Sequence, residues 1–335
     1  MPLDSSGLHA VALGDGQLLV KRGGRQLLVS GASGLLLSEL LGHLDGATTT
    51  EDVVARFPEE RRGVARKGLA LLVEHRLVLD EPSSTGSQPS LRSFLAQVGL
   101  VPEQAEKALA QARVVVAGVN LVSRRLTQGL TESTVGSVEL VSDPLLDGHG
   151  SPSWTDSARV ADTDGGLALS AAGCSLLCAT SDAGDSPALL SAGRVALAAG
   201  VPFLPAWVSE HVGYVGPLTH PFETACLRCY QLRVESNDPY PDVVLAERQY
   251  LKSHPALRDG SGLLPPMAGV VGDIAAMEGV KLIVGMTSRS LAGHQIEINL
   301  VTFAARVRRV LKLPRCPDCS DRMWRSAVAQ MDGPR

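Results

Sequence analysis

Arg113-Val114-Val115-Val116-Ala117-Gly118-Val119-Asn120-Leu121 opens the part of the chain that decides its fold. The unbroken run of β-branched residues suits a strand buried on both faces, as strands of parallel sheets are. Gly118 ends the strand, and Val119 to Leu126 reads as a helix. In such a sheet the first strand-to-helix turn is where phosphates bind, because glycines there let backbone N–H groups approach the anion. Here a single glycine is followed by Val119-Asn120-Leu121, so the sequence argues against a nucleotide at this turn. Downstream, strands are expected at Val138–Val141 (ending at Asp143), Ala172–Ala179 (ending in Thr180-Ser181-Asp182) and Val201–Trp207, with a helix at Leu189–Ala199. This β-α-β rhythm predicts an α/β domain with a doubly wound sheet and helices on both faces.

Further along lie two C-x-x-C pairs, Cys226-Leu227-Arg228-Cys229 and Cys316-Pro317-Asp318-Cys319. Two intervening residues let both thiolates of a pair reach one ion from a tight turn. Four soft ligands suit a closed tetrahedral zinc site, which is structural because no coordination position stays open. Such an ion would pin the end of the chain onto the middle of the domain. Four unrelated cysteines are the bland alternative, and the repeated spacing among only six cysteines speaks against it. A redox pair would need thioredoxin-like surroundings at a strand-to-helix start, which neither pair shows. Cys174 and Cys178 sit in an apolar run and read as small buried hydrophobes.

The net charge of -4 does not favour nucleic-acid binding by the chain as a whole. No apolar run reaches the roughly 18 residues of a membrane span. The N-terminus lacks a basic stretch followed by an apolar core, so no signal peptide is expected, and the cysteine usage fits a reducing cytoplasm.

Toward the N-terminus the pattern changes. Gly14-Asp15-Gly16 and Gly23-Gly24 separate three short apolar runs, which predicts three antiparallel strands. Helices follow: one capped by Ser33 and carrying Leu35, Leu36, Leu40 and Leu41, one capped by Thr49 or Thr50, and one over about Glu60–His75. A short strand is expected from Val78. This is an α+β unit of winged-helix size. Residues 81–92 are rich in Pro, Ser and Gly and read as a linker, after which a helix is expected over Ala96–Gln111.

The order of these elements, with Asp45-Gly46, Thr50-Glu51-Asp52-Val53-Val54 and Leu71-Leu72-Val73, resembles PqqD-like recognition elements across residues 5–80. The resemblance implies a leader-peptide-binding domain (residues 1–80). There an extended peptide would add a strand beside Gln26, Leu27, Leu28, Val29 and Ser30 and lie against a third helix offering Arg62, Arg66, Leu69 and Val73. Strand addition is physically sensible, since an exposed edge offers free N–H and C=O groups. The arginines of that helix read either as a solvated face or as a track for an acidic peptide; DNA binding is a third reading.

From Arg113 to Cys319 the chain resembles the ThiF and ubiquitin-activating enzyme superfamily. The match rests on Thr180-Ser181-Asp182, the two cysteine pairs, and Met267-Ala268-Gly269-Val270-Val271-Gly272 continuing through Ala276–Leu282. Adenylating members carry a Gly-rich loop, an acidic residue ending the second strand and a Ser-Asn-Leu-x-Arg segment. Here the loop is degenerate, Asp143 matches the acidic residue, and Pro144-Leu145-Leu146 replaces the segment, which implies loss of the ATP and magnesium machinery. A PqqD-like unit ahead of such a domain (residues 93–335) resembles the ThiF-like partner proteins of azole-forming peptide clusters of the thiopeptide and bacteriocin type. Cys229-Tyr230-Gln231-Leu232-Arg233 through Asp238-Pro239-Tyr240-Pro241 is similar to a stretch those partners carry.

That resemblance implies a non-catalytic protein. It would bind a precursor leader peptide and present the core peptide to a separate YcaO-type cyclodehydratase, as the 335 residues leave no room for a YcaO domain. It also implies a homodimer, to which the apolar helix Val270–Val284 would contribute. The rival from another class is an ATP-dependent ThiF-type enzyme adenylating a peptide or carrier-protein C-terminus. Asp182 and Asp185 are expected as helix caps or ligand contacts, and His211 and His220 as loop or core residues. No Ser-His-Asp set or carboxylate pair is recognisable.

Overall fold

The computed structural model describes residues 3, 5, 7–13, 16–45, 48–78, 89–148, 166–240, 242–243, 246, 250, 263–286 and 290–320. The chain divides into two compact units, Met1–Ala108 and Leu109–Arg335.

In the first unit, β1 (Leu8–Leu13), β2 (Gln17–Arg22) and β3 (Arg25–Val29) form an antiparallel sheet in that order. Gly14 and Asp15 of the expected first turn lie outside the described residues. Three helices follow, α1 (Ala32–Leu41), α2 (Thr50–Ala55) and α3 (Glu59–Glu74). Leu18 and Val20 of β2 pack with Leu37, Leu40, Val53, Phe57, Leu69 and Leu72 in one core.

Two local expectations change. Helix α1 starts from Gly31, whose φ of 65° suits glycine, and Ser33 lies inside the helix instead of capping it. Thr49 does cap α2, in a reciprocal box with Asp52. Of the strand expected from Val78 only Val78 itself is described, and it is not in a strand. Arg76 takes a left-handed conformation (φ 53°), and the chain closes the end of α3: Arg76 N–H donates to Val73 O at 2.9 Å and Leu77 N–H to Leu72 O at 2.8 Å. That pattern is a Schellman closure. It spends Leu77 and Val78 on the core at 0% exposure.

The helix expected over Ala96–Gln111 is two helices, α4 (Pro89–Gln97) and α5 (Pro102–Gln111). Gly99 (φ 93°) and Pro102 break it, and buried Arg92 on α4 pairs with Glu106 on α5 at 3.0 Å. The expected linker falls mostly outside the described residues.

The second unit is built on a mixed seven-stranded sheet, ordered β10-β9-β8-β7-β6-β4-β5. The strands are β4 (Arg113–Ala117), β5 (Ser137–Val141), β6 (Leu176–Ser181), β7 (Phe203–Ser209), β8 (Val212–Val215), β9 (His294–Asn299) and β10 (Ala305–Arg309). The helices are α6 (Leu121–Glu132), α7 (Gly166–Ala171), α8 (Pro187–Ala199), α9 (Leu227–Asn237) and α10 (Pro265–Ile283). Strands β5, β4, β6 and β7 are parallel, as the doubly wound reading requires. Strands β8, β9 and β10 are antiparallel, which that reading did not foresee. The cause is the two-residue turn Glu210-His211, with Glu210 at φ 53°, which reverses the chain directly after β7.

Helix α10 lies against α6 with small residues at the seam. A side chain at Gly272 would come within 2.7 Å of Val122 O, and one at Gly129 within 2.9 Å of Ala276. Ala268, Val271, Gly272, Ala275, Ala276, Gly279 and Val280 are buried. The apolar character of this helix is therefore met within the chain and gives no argument for a dimer. Cys174 and Cys178 are buried among apolar neighbours, and burial raises both thiols above the usual range. Among the described residues no helix is long and apolar enough to cross a membrane.

Candidate metal centre and peptide-binding edge

Cys226 is the N-cap of α9 and Cys229 lies in its first turn, so the first pair straddles a helix start, not the tight turn expected. The second pair sits in a hydrogen-bonded loop after β10, with Cys316 N–H donating to Leu313 O at 3.1 Å and Ser320 N–H to Cys316 O at 3.1 Å. Cys226 Sγ is 3.8 Å from Cys229 Sγ and 3.7 Å from Cys316 Sγ, and Cys229 Sγ is 3.4 Å from Cys319 Sγ. All four sulfurs lie within 4.8 Å of one another.

A tetrahedral zinc at about 2.3 Å from each thiolate would place sulfurs about 3.8 Å apart, close to the spacings of this cluster, which therefore suits a tetrathiolate ion. The environment fits as well. Leu197, Ala225 and Val310 enclose the sulfurs, and Cys229, Cys316 and Cys319 are each 0% exposed. Leu313 N–H donates to Cys229 Sγ at 3.4 Å, which stabilises a thiolate there. Hydrogen bonds from Cys226, Cys316 and Cys319 hold Cys229 far below the ordinary thiol range. Cys316 is lowered to about 6, chiefly by its contact with Cys226, whereas Cys226, as donor to Cys229, is pushed up. A buried cluster that already carries thiolate charge suits a cation. His211, on the β7–β8 turn, and His220 are not part of this cluster.

The turn after β4 is closed by the chain itself. Gly118 has φ 95°, and a Cβ there would sit 2.7 Å from Thr180 O. Asn120 caps α6: its Oδ1 accepts from Ser123 N–H at 2.9 Å, and its own N–H donates to Ser123 Oγ at 2.9 Å. Asn120 Nδ2 donates to Leu146 O at 2.9 Å and to Thr180 O at 3.0 Å. Two carboxylates take the neighbouring donors: Val119 N–H reaches Asp147 Oδ1 at 2.6 Å, and Leu121 N–H reaches Asp182 Oδ2 at 2.9 Å. The helix end where a phosphate would bind is thus held by internal acceptors of the same charge. Asp182 is a cap, but of α6 across the sheet; Ser186 caps the following α8. Asp185 accepts from Gln231 Nε2 at 3.0 Å.

In the first unit β3 is an edge, paired only with β2 among the described residues. The two-residue turn closes on the Arg22–Arg25 pair, and the alternation of a hairpin then turns the backbone groups of Gln26 and Leu28 outward. Leu28 is 59% exposed, while Leu27, Val29 and Val73 are half-buried on the core. The residues of α3 differ from one another in availability. Arg66 pairs with Glu51 at 2.7 Å at the surface. Arg62 Nε donates to Phe57 O at 3.0 Å, tying it to the end of α2. Leu69 is 1% exposed, so it supports the core and is not positioned to touch a docked peptide.

The fold is shared with solved structures at low identity. The heterocyclase TruD superposes with a TM-score of 0.69 at 21% identity, over 96% of this chain and 43% of that chain. A heterocyclase in complex with substrate and cofactor gives 0.67 at 19%, over 95% and 39%. E. coli MccB with MccA-N7isoASN gives 0.64 at 15%, over 96% and 100%, and MccB has also been solved with ATP. The chain spans less than half the length of the two heterocyclase chains. No protein-family profile and no curated protein matches it.

Proposed function

We propose that this chain is a non-catalytic, leader-peptide-binding partner that recruits a ribosomally made precursor peptide to a separate YcaO-type cyclodehydratase for thiazoline or oxazoline formation. The observation that carries the reading is the turn after β4, whose N–H groups are engaged by Asn120, Asp147 and Asp182. A domain of this fold without a phosphate cradle is suited to holding partners. The likeness to a heterocyclase solved with its substrate supports the peptide-modifying context. On this reading residues 1–80 bind the leader along the β3 edge, residues 93–335 form the ThiF-like body, and Cys226, Cys229, Cys316 and Cys319 hold a structural zinc ion.

A second reading has its own support: MccB, alike over its full length, has been solved with ATP. On that reading the chain adenylates a carboxyl terminus. ATP–pyrophosphate exchange separates the two. The partner reading expects no exchange with precursor peptide and loss of water mass from the peptide only after a YcaO-type protein is added. Exchange, or dehydration by this chain alone, would overturn it.

A further inference from the structure

Strand β10 ends the seven-stranded sheet, and its outer side pairs with nothing among the described residues. All five of its residues are exposed. Asn299 N–H donates to Ala304 O at 2.9 Å and Val310 N–H to Gly293 O at 2.8 Å. With the register Arg306↔Glu297 and Arg308↔Gln295, antiparallel alternation points residues 306 and 308 at β9 and turns the N–H and C=O groups of Ala305, Val307 and Arg309 outward.

The side chains define what fits there. Val307 is 64% exposed, and Phe303 and Leu311 flank it at 68% and 51%. Arg306 and Arg309 are free among the described residues, while Arg308 pairs with Glu297 at 2.7 Å. A second copy of this edge, docked antiparallel about Val307, would set Arg306 opposite Arg308 of the other copy at both ends, and like charges directly opposite destabilise a strand pair. Charge alone would explain a blunted edge, since proteins protect edges in that way. The exposed side chains of Phe303, Val307 and Leu311 are what protection does not explain.

We infer that the β10 edge is a docking site for an acidic, extended segment of another protein, which adds an eighth strand through Ala305, Val307 and Arg309 and, its side chains alternating, sets its carboxylates on the face of Arg306 and its apolar residues on the face of Val307. This surface is independent of the leader site proposed on β3.

The test uses the full chain and a fluorescein-labelled peptide alternating glutamate with valine, with its lysine-for-glutamate counterpart as control. Val307→Pro deletes one outward N–H and leaves the bonds to β9 in place. It should weaken the acidic peptide about tenfold, whereas Val307→Ala, which keeps the N–H, should stay within about threefold. Arg306→Glu combined with Arg309→Glu, which leaves the strand free of proline, should lose at least as much as Val307→Pro, and the lysine peptide should not bind. Leu28→Pro should leave the part of this affinity that Val307→Pro removes unchanged. Equal binding of both peptides would overturn the inference. So would loss with Leu28→Pro and not with Val307→Pro, which would move the peptide to β3 and leave the proposed function standing. A wild-type dimer that Val307→Pro turns into a monomer in light scattering would also overturn it, because the edge would then belong to a second copy.

Discussion

Asn120 shows how much one side chain can settle. Its amide bridges β4, the 142–148 loop and the end of β6 while its carbonyl caps α6. Removing it strands two buried carbonyl oxygens and an N-cap. Asn120→Ala should therefore cost about 2 kcal/mol or more of the second unit's stability, read as a lowered urea midpoint. An unchanged midpoint would mean that water replaces the amide and that the turn is less closed than its bonds suggest. The cysteines give a second prediction at this scale. Cys226→Ser should reduce bound zinc from one per chain to a small fraction, measured by metal analysis of the purified protein. Acid should act in the same direction. A thiol must lose its proton to bind the metal, and the hydrogen bond to Cys229 pushes Cys226 up while the contact with Cys226 lowers Cys316. Affinity should fall as pH falls, because protons compete with the metal for the four sulfurs. A pH-independent zinc affinity between pH 5 and 8 would contradict a tetrathiolate site.

Elements differ in how much of them the sequence discloses. The parallel strands were legible because continuous runs such as Val114-Val115-Val116 have few other uses. Helix α3 was legible from its spacing, and the cysteine ligands from theirs. Strand β9 alternates cleanly over Gln295-Ile296-Glu297-Ile298-Asn299 and could have been read as a strand, whereas every residue of β10 is exposed, so hydrophobic pattern marks that strand poorly. Leu77 and Val78 have strand-like side chains, and only the left-handed Arg76 beside them explains why they close a helix instead. The missing glycines of the nucleotide turn were readable; the carboxylates that occupy it were not, because Asp147 and Asp182 reach it only through the sheet's order. Structure also sharpens what a change in β3 should do. Leu28 faces the open edge, so Leu28→Pro should spare the β2–β3 ladder and weaken a bound leader by about tenfold in fluorescence polarisation. Leu28→Ala should change little if backbone pairing carries the affinity. Arg66→Glu should also weaken an acidic leader, since it removes the cation and adds repulsion beside Glu51. Equal affinities across these variants would place the leader elsewhere.

At the scale of the whole molecule the two units rest on different supports. The core of the first unit is drawn from residues 3 to 78, whereas all four cysteines belong to the second. There α9 and the segment after β10, 90 residues apart along the chain, meet at the sulfurs, at the side chains enclosing them and at a hydrogen bond from Arg233 Nε to Leu311 O (2.9 Å). Removing the ion should thus destabilise the second unit and leave the first alone. A structural zinc site contributes several kcal/mol even when the surrounding fold shares the load, and each kcal/mol shifts melting by about 2–4 °C in a unit of this size. Calorimetry should then show two transitions, with a strong chelator lowering one by on the order of 10 °C and the other by nothing measurable. Leader binding, if it belongs to the β3 edge, should survive the same chelation. A single transition that moves as a whole would mean that the units melt as one. Loss of leader affinity together with the ion, at a temperature where the first unit is still folded, would put the peptide on the second unit and sink its assignment to β3.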